Sequence, residues 1–308
     1  MRIFDNPNVN FMKWRWHALA LSLLVIGAGV ATIVSRGGLP LGVDFSGGTV
    51  MQLKFTQPPN QDAIRAALSG EAVVQTFGDR ANNEVLVRLP IMKGTEQGAS
   101  LTEEAARVEA TLRAANVGEF RVEKTDIVGP VIGEDLKQKG ISATLLSLAG
   151  ILAYIWFRFR LTFAVGAIAA TLHDVLVTLV FLTWFGYDLS LNVVAALLTI
   201  TGYSVNDTIV IFDRVRENQR SKSKEPLIDL VNRSVNQTLS RTLITAGTTF
   251  LAVLGLFLFG GEVLEGLAFT LLVGILTGTY STIFIASAIA IVLSPKQGAA
   301  PAPAPRKS

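Results

Sequence analysis

Residues 189–212 read LSLNVVAALLTITGYSVNDTIVIF, and Asp207 is the only charged residue in this stretch. At about 1.5 Å of rise per residue, a helix of this length crosses the hydrocarbon core of a bilayer. A carboxylate inside such a helix costs about 3 kcal/mol or more, so it needs a partner, a proton or a function. The stretch therefore predicts a membrane-spanning helix that carries a buried acid.

The rest of the chain has the composition of an integral membrane protein, since 50% of the residues are hydrophobic and only 17% are charged. Five further apolar runs predict an α-helical polytopic membrane protein with six transmembrane helices. We divide it into a cytosolic N-terminus (1–15), a first span (16–34), an extracytoplasmic domain (35–135), a bundle of five spans (136–293; spans about 136–157, 161–185, 189–212, 241–260 and 264–293) with a cytosolic loop (213–240), and a disordered cytosolic tail (294–308).

Basic residues lie before the first run, between the second and third, between the fourth and fifth, and after the sixth. The other two short loops, 186–188 and 261–262, contain no Lys or Arg. The positive-inside rule therefore puts both termini in the cytosol and the large insert outside. Few aromatic residues accompany these charges, which argues against a nucleic-acid surface. The first run has a long core and no clear small-residue cleavage site before Arg36, so we interpret it as an uncleaved anchor.

Several chemistries are excluded by residue types. The chain has no cysteine, which rules out disulfides, thiolate metal sites and cysteine nucleophiles. Its two histidines, His17 and His173, have no serine in a catalytic motif near them, and no nucleotide-binding motif is present. We therefore expect a protein that is not an enzyme, with no catalytic residues, no metal and no cofactor.

The insert alternates between strand and helix periodicity. Strands are predicted at 49–56, 72–77, 84–89 and 119–128, and helices at 60–69 and 101–115. The order βαββαβ is that of a ferredoxin-like domain. The insert has no histidine, no glycine-rich phosphate loop and no acidic cluster, so a compact binding or spacer module is the simplest interpretation.

Two polar residues attract attention within the membrane. Asp207 shares a helical face with Thr201, Ser204 and Thr208, so it is either satisfied by neighbouring hydroxyls or functional. Arg241 enters the next, antiparallel span at a similar depth, and its side chain is long enough to reach Asp207. The alternative for Arg241 is an arginine that extends to the membrane interface.

His173 and Asp174 lie in the middle of the third run. Histidine titrates near neutral pH, so a proton relay is one interpretation, and hydrogen bonding between helices is the other. Because adjacent helical residues point about 100° apart, we expect that the two side chains do not pair directly.

Close helix packing is predicted where small residues recur. Gly274 and Gly278 form a GxxxG motif in the sixth run, and we group with them the packing residues Ser204, Asn206 and Thr208. In the loop, Leu227, Leu230, Val231, Val235 and Leu239 have helical spacing, which predicts a helix on the membrane surface or a docking surface.

Six motifs together resemble the SecD/SecF family of protein-export membrane proteins. They are GVDFSGGT (42–49), VGPVIG (128–133), HDV (173–175), GYSVNDTIVIFDRVRE (202–217), NQTLSRTL (236–243) and GTYSTIFIA (278–286). The last four resemble the SecF half of the family in order, and the resemblance runs from about residue 40 to 290.

The resemblance implies a function. The family is related to resistance-nodulation-division exporters and is thought to use the proton-motive force to help polypeptides leave the Sec channel. Its proton-path aspartate corresponds to Asp207 and its functional arginine to Arg241, while Asp213, His173 and Asp174 are further proton-coupling candidates. The implied partners are SecD, the SecYEG translocon, translocating polypeptides and the lipid bilayer, but not nucleic acid. The implied location is the bacterial cytoplasmic membrane, and the coupling ion is a proton or sodium.

Two other interpretations stay open. A passive scaffold would stabilise SecD and the Sec channel without carrying protons, with Asp207 serving only in packing. An exporter of small or lipid substrates is less compatible with the chain, because such exporters carry much larger external domains than this insert.

Overall fold

The computed structural model describes residues 7–68, 72–78, 80–89, 98–221 and 225–294. Six of its helical segments are long and apolar enough to cross a membrane, which confirms the predicted number of spans: Phe11–Ser35, Val131–Arg158, Leu161–Phe185, Leu191–Arg220, Leu227–Phe259 and Val263–Leu293. Apart from Ser294, the tail predicted at 294–308 lies outside the described residues, as do the first six residues of the N-terminus.

The elements follow one another in the order α1, α2, β1, α3, β2, β3, α4, β4 and then α5 to α10. Their bounds are α1 Arg15–Ser35, α2 Val43–Ser46, β1 Gly48–Phe55, α3 Gln61–Ala67, β2 Val73–Phe77, β3 Glu84–Leu89, α4 Gly98–Ala114, β4 Phe120–Val128, α5 Pro130–Arg158, α6 Leu161–Phe185, α7 Leu191–Arg220, α8 Leu227–Phe259, α9 Glu262–Ser281 and α10 Ser287–Leu293. Short 3₁₀ turns occupy Phe11–Trp14 and Arg80–Asn82, and a π turn at Thr282–Ala286 joins α9 to α10.

Residues 48–128 form the predicted βαββαβ domain. Its four strands are antiparallel in the order β2-β3-β1-β4, which confirms the ferredoxin-like arrangement. Alternate strand residues point inward, so Leu53, Val85 and Val87 are fully buried together with Leu112 of α4. The domain therefore has a hydrophobic core of its own.

The helical bundle packs α7 against α6, α8 and α9. Its core combines aromatic and branched side chains with small ones, and Phe212 is its largest fully buried residue. Phe163 meets Phe212 edge to face at 5.0 Å. Alanines on α6 and α10 bring these helices close together, and a Cβ on Gly166 would lie 2.6 Å from the Ala286 carbonyl oxygen.

The segment predicted as a loop at 213–240 is mostly helical. The α7 helix continues to Arg220 and α8 already begins at Leu227. The prediction of a surface helix here is wrong, because Leu230, Val231 and Val235 are buried in the bundle core. The apolar face of this segment continues along the same helix into the fifth span. The C-terminal end of α7 covers that face.

The GVDFSGGT motif connects the βαββαβ domain to the bundle. The Gly42 amide donates to the Leu189 carbonyl at 2.8 Å, and the Leu189 amide donates to the Pro40 carbonyl at 2.7 Å. At Gly47 the backbone turns with φ of 67°, a conformation that glycine adopts without strain. The α5 helix packs so closely here that a Cβ on Gly133 would lie 3.0 Å from the Gly47 nitrogen.

Candidate functional site

Asp207 lies on α7 inside the bundle and is only 5% exposed. Its Oδ2 atom is buried without a hydrogen-bond partner among the described residues. An ionised carboxylate in such surroundings is unstable, so the position favours either a bound proton or a cation nearby.

The hydroxyls that share a helical face with Asp207 do not bind it. Thr201 and Thr208 each donate to a backbone carbonyl one turn earlier, at 2.8 and 3.2 Å. Ser204 donates to Asp174 on α6 at 2.5 Å. The alternative to a functional role, in which these hydroxyls satisfy Asp207, is therefore not supported, because each hydroxyl has another acceptor.

Arg241 is the cation that attracts the Asp207 carboxylate. Among the described residues no ion pair within 4 Å joins Asp207 and Arg241, and Arg241 is exposed on α8. Its side chain lines an open cleft of about 620 Å³ between α7 and α8. The cleft is bordered by Asn206, Ile209, Val210, Asp213, Arg214, Glu217, Gln237, Thr238 and Arg241. The predicted Asp207–Arg241 ion pair is thus not formed in this conformation, although the Arg241 charge acts on the Asp207 carboxylate.

Asp213 occupies a different environment from Asp207. It accepts from the Arg158 guanidinium at 2.8 and 3.1 Å, and both side chains are about two-fifths exposed. The pair joins the end of α5 to α7 beside the cleft. The structure therefore places Asp213 at the rim of the cleft, and its role in proton coupling stays a prediction.

His173 and Asp174 do pair, contrary to the expectation from their adjacency. The His173 Nδ1 and Asp174 Oδ1 atoms are 3.0 Å apart. Rotation about both side-chain torsions brings the two groups together despite the 100° between their Cα–Cβ directions. Asp174 is 1% exposed and His173 is 7% exposed, so this is a buried pair.

Asp174 also accepts hydrogen bonds from hydroxyl groups of two other helices. Its Oδ2 accepts from Ser204 of α7 at 2.5 Å and from Ser281 of α9 at 2.8 Å. One turn further along, Thr208 and Thr282 are joined at 3.1 Å. These contacts hold α6, α7 and α9 together beside Asp207 and connect residues that the sequence analysis treated separately.

The two glycines of the GxxxG motif lie against α7. A Cβ on Gly274 would come within 2.1 Å of Ile200, and a Cβ on Gly278 within 3.0 Å of the Ser204 side chain. Both glycines therefore permit the close approach of α9 to α7. Asn206 is exposed at the cleft in this single chain.

Sequence reasoning missed the ion pair that joins the βαββαβ domain to the bundle. Arg88 of β3 pairs with Asp188, in the loop that precedes α7, and each side chain is 19% exposed. Asp44 of α2 accepts from the Leu191 amide at 2.9 Å, which satisfies one of the free amides at the start of α7. Complementary charges exist at these positions in the sequence, but spacing alone does not reveal that they meet.

Tyr187, beside this junction, was also not predicted as a structural contact. Its hydroxyl donates to Glu265 of α9 at 2.6 Å, and its ring stacks on Phe269 with centroids 4.5 Å apart. Burial, followed by the hydrogen bond to the Glu265 carboxylate, raises the pKa of the Tyr187 hydroxyl. The contact fixes the α6–α7 loop against α9.

A third missed contact secures the N-terminal segment. The Asn236 side chain accepts from the Val9 amide at 2.9 Å and donates to the Val9 carbonyl at 2.9 Å. Asn232 donates to the same carbonyl at 3.1 Å and accepts from the Met12 amide at 3.2 Å. Asn236 opens the NQTLSRTL motif, which was the only sequence signal for this contact.

Comparison with known proteins identifies the family. A family model described as protein export membrane protein SecD/SecF, C-terminal, matches residues 107–296, and one described as the SecD/SecF GG motif matches residues 36–59. The chain belongs to the SecD/SecF family. The GG motif is the segment that connects the βαββαβ domain to the bundle, so the family signature coincides with the junction described above.

Similar members of the family align with nearly the whole chain. Protein translocase subunit SecF of Desulfurispirillum indicum is 43% identical, covering 94% of this chain and 92% of that protein. The SecF subunit of Escherichia coli O157:H7 is 40% identical, and the alignment covers 94% of this chain and 88% of that protein. These SecD/SecF members are named as translocase subunits rather than as enzymes.

A solved structure has the same architecture. The crystal structure of SecDF, a translocon-associated membrane protein from Thermus thermophilus, matches with a TM-score of 0.81 and 36% identity. The match covers 93% of this chain but only 39% of that one. SecDF in a super-membrane-facing form matches with a TM-score of 0.68 and 37% identity, again over 39% of its length. The present chain is thus a multi-pass membrane protein that spans about two-fifths of a SecDF chain.

Proposed function

We propose that the chain uses the proton-motive force to promote the translocation and release of polypeptides across the cytoplasmic membrane. Asp207 is the group that takes up and releases the proton, and Arg241 is the cation that responds to its charge. The observation that carries this proposal is the buried Oδ2 of Asp207, which has no hydrogen-bond partner among the described residues. A structural carboxylate would be expected to use its acceptors, as Asp174 does.

The switch follows from the chemistry of the two groups. An arginine keeps its charge, so the carboxylate is the member that changes. When Asp207 is ionised, Arg241 is attracted across the α7–α8 interface. When Asp207 is protonated, that attraction disappears, and the guanidinium stays in the polar cleft that it lines in this structure. Proton uptake thereby changes how α7 and α8 pack.

The α7 helix supplies a path from Asp207 to the βαββαβ domain. Asp207 lies 16 residues after Leu191, which is about 24 Å along an uninterrupted helix. At that far end, the Leu191 amide bonds to Asp44, and the preceding Asp188 pairs with Arg88. A shift of α7 therefore acts directly on the domain that faces the emerging polypeptide in the proposed topology.

The energy is sufficient for such a change. One proton that crosses about 100 mV releases about 2.3 kcal/mol. This amount biases an equilibrium between two conformations by a factor of about 50. A single site is therefore enough to drive a cycle between two arrangements of α7.

The proposal includes partners and location. SecD is the expected partner, since this chain resembles two-fifths of a SecDF chain and aligns with separate SecF subunits. The SecYEG translocon and translocating polypeptides are the further partners. The distribution of basic residues supports both termini in the cytosol and the βαββαβ domain outside the bacterial inner membrane. Asp213, His173 and Asp174 remain candidate participants. The proposed coupling ion is a proton, and sodium is the alternative.

The test compares two acid-to-amide changes on α7. Asp207→Asn removes the proposed proton site, whereas Glu217→Gln alters an exposed acid three turns away that pairs with Arg214. Export of a secreted protein is followed in membrane vesicles with and without a proton gradient, and co-purification with SecD measures assembly. We expect that Asp207→Asn assembles normally but loses stimulation by the gradient, while Glu217→Gln retains it.

Two outcomes would contradict the proposal. Lost co-purification of Asp207→Asn with SecD would favour the passive scaffold, in which Asp207 serves packing. If the gradient still stimulates export by the Asp207→Asn variant, Asp207 is not the coupling residue. Replacing the proton gradient by a sodium gradient of equal size identifies the ion.

A further inference from the structure

A chain of hydrogen bonds joins α1, α6 and α9. The position of each hydroxyl and imidazole hydrogen in it can be assigned from the available donors and acceptors. The Tyr280 hydroxyl donates to the Ala18 carbonyl at 2.7 Å, and this contact uses its single hydrogen. Ser22 Oγ lies 3.1 Å from the Tyr280 oxygen. Since Tyr280 has no hydrogen left, Ser22 must donate in this contact and has used its own hydrogen.

The same count fixes Nε2 of His173 and leaves one hydrogen to be placed at Nδ1. Its Nε2 lies 2.9 Å from Ser22 Oγ, which has no hydrogen left, so Nε2 must carry one. Its Nδ1 lies 3.0 Å from Oδ1 of Asp174, so one hydrogen lies between these two atoms, while Oδ2 accepts two serine hydroxyls. If Asp174 accepts on both of its oxygens as a carboxylate, that hydrogen belongs to Nδ1.

We propose that His173 is a doubly protonated imidazolium that forms a buried ion pair with Asp174. The pair is electrically neutral as a whole, which is what a site so nearly closed to solvent requires. The Tyr280 ring lies 5.9 Å from the imidazole, a distance at which an aromatic ring attracts a cation. Removing either proton from the imidazolium would leave a hydrogen-bonding atom without its partner.

The pair acts as a positioning element for Asp207. Asp174 accepts hydrogen bonds from Ser204 of α7 and Ser281 of α9, and His173 is hydrogen-bonded to Ser22 of α1. Ser204 precedes Asp207 by three residues on the same side of α7. The ion pair thus holds four helices beside Asp207 in a fixed relation.

The protonation of His173 can be measured directly. The chain contains two histidines, so the exposed His17→Gln change leaves His173 as the only one. The full chain is labelled with ¹⁵N-histidine, placed in lipid nanodiscs and examined by NMR at pH 8, where an ordinary imidazole is mainly neutral. We expect both nitrogens to give the signals of a protonated imidazolium. A signal from an unprotonated ring nitrogen would overturn the proposal.

A second variant tests the role of Asp174. In the His17→Gln background, Asp174→Asn keeps the size of the side chain but removes its charge. We expect His173 then to show one unprotonated nitrogen at pH 8, because its counter-charge is gone. An imidazolium that persists would contradict the pairing. If Asp174→Asn does not fold, the measurement on His17→Gln alone decides. Neither spectrum involves a proton gradient, so failure here leaves the role proposed for Asp207 untouched.

Discussion

Arg88 of β3 forms an ion pair with Asp188 in the loop before α7, and this pair binds the βαββαβ domain to the helix that carries Asp207. Both side chains are largely shielded from solvent, so removing one partner costs more than it does in an exposed surface pair. The domain is therefore held against the bundle by a charge pair in addition to the backbone contacts of the GG motif.

Breaking this pair should loosen the junction. Arg88→Ala leaves the Asp188 carboxylate partly buried without its cation, and we expect a loss of about 1–3 kcal/mol in the stability of the junction. Cleavage of the 36–48 connection by a protease should accelerate accordingly. Exchanging the charges in Arg88→Asp/Asp188→Arg should restore part of the protection. Arg65→Ala, which breaks an exposed pair with Asp62, serves as the control and should change little. If Arg65→Ala and Arg88→Ala accelerate this cleavage equally, the Arg88–Asp188 pair does not hold the junction.

The contact of α9 with α7 should not tolerate a methyl group at Gly274. Its Cβ would lie 2.1 Å from Ile200, so Gly274→Ala forces the helices apart and should cost about 1–3 kcal/mol. Thermal unfolding of the chain in detergent measures this loss. Gly255→Ala, where a Cβ meets open space, is the matched control. Adding Ile200→Ala should recover stability in Gly274→Ala, and a double variant that is less stable than both single variants would argue against this contact.

The stability of the βαββαβ domain should fall in acid because of Glu84. A hydrogen bond from Lys54 at 2.7 Å, and a weaker contribution from Gln52, lower the pKa of Glu84 below its ordinary value of 4.5, although burial opposes the shift. The stabilisation is thus present above the unfolded-state pKa and is lost as the pH falls through the lower folded-state pKa. The protection factors of the β1 and β3 amides in the full chain, which are exchange rates corrected for the intrinsic rate at each pH, should fall in that range.

Glu84→Gln should remove this pH dependence and cost about 1 kcal/mol at neutral pH, because the ion pair with Lys54 is lost. Glu109→Gln changes an acid on the exposed side of α4 and should keep the acid sensitivity of the native chain. If the protection factors of the strand amides in Glu84→Gln still fall in acid to the native extent, another group is responsible.

The N-terminal segment should detach when Asn236 is shortened. Asn236→Ala removes both hydrogen bonds to Val9, and we expect a loss of about 1–3 kcal/mol that is confined to the segment. A nitroxide label at Asn8 reports the release as increased mobility. Asn236→Asp keeps the acceptor for the Val9 amide but not the donor, so it should release the segment less. A label that is equally immobile in Asn236→Ala and in the native chain would refute the role of this contact.

The spans and the βαββαβ order were predictable because they depend on local periodicity. Runs such as 189–212 and the alternating strand at 84–89 carry their signal in adjacent residues. The segment 213–240 was misread because its polar and apolar residues alternate as in a surface helix. Its apolar face is buried only because α7 continues beside it.

The polar contacts were not predictable, because they depend on how distant helices meet. His173 and Asp174 were named from the sequence, but Ser22, 151 residues from His173, completes their site. Asp207 was identified because a single charge in an apolar run is conspicuous without any knowledge of its neighbours. Its open relation to Arg241, by contrast, depends on the rotation of α8, which no local pattern records.

The π turn at Thr282–Ala286 limits how this protein can change during evolution. A π turn contains one residue more than an α turn, so α10 is rotated by about 100° from the direction that an unbroken helix would give it. The loss of one residue here would leave a span of ample length, yet every side chain of α10 would face a different neighbour. Insertions and deletions should therefore be accepted in the connections between spans, but not inside this one.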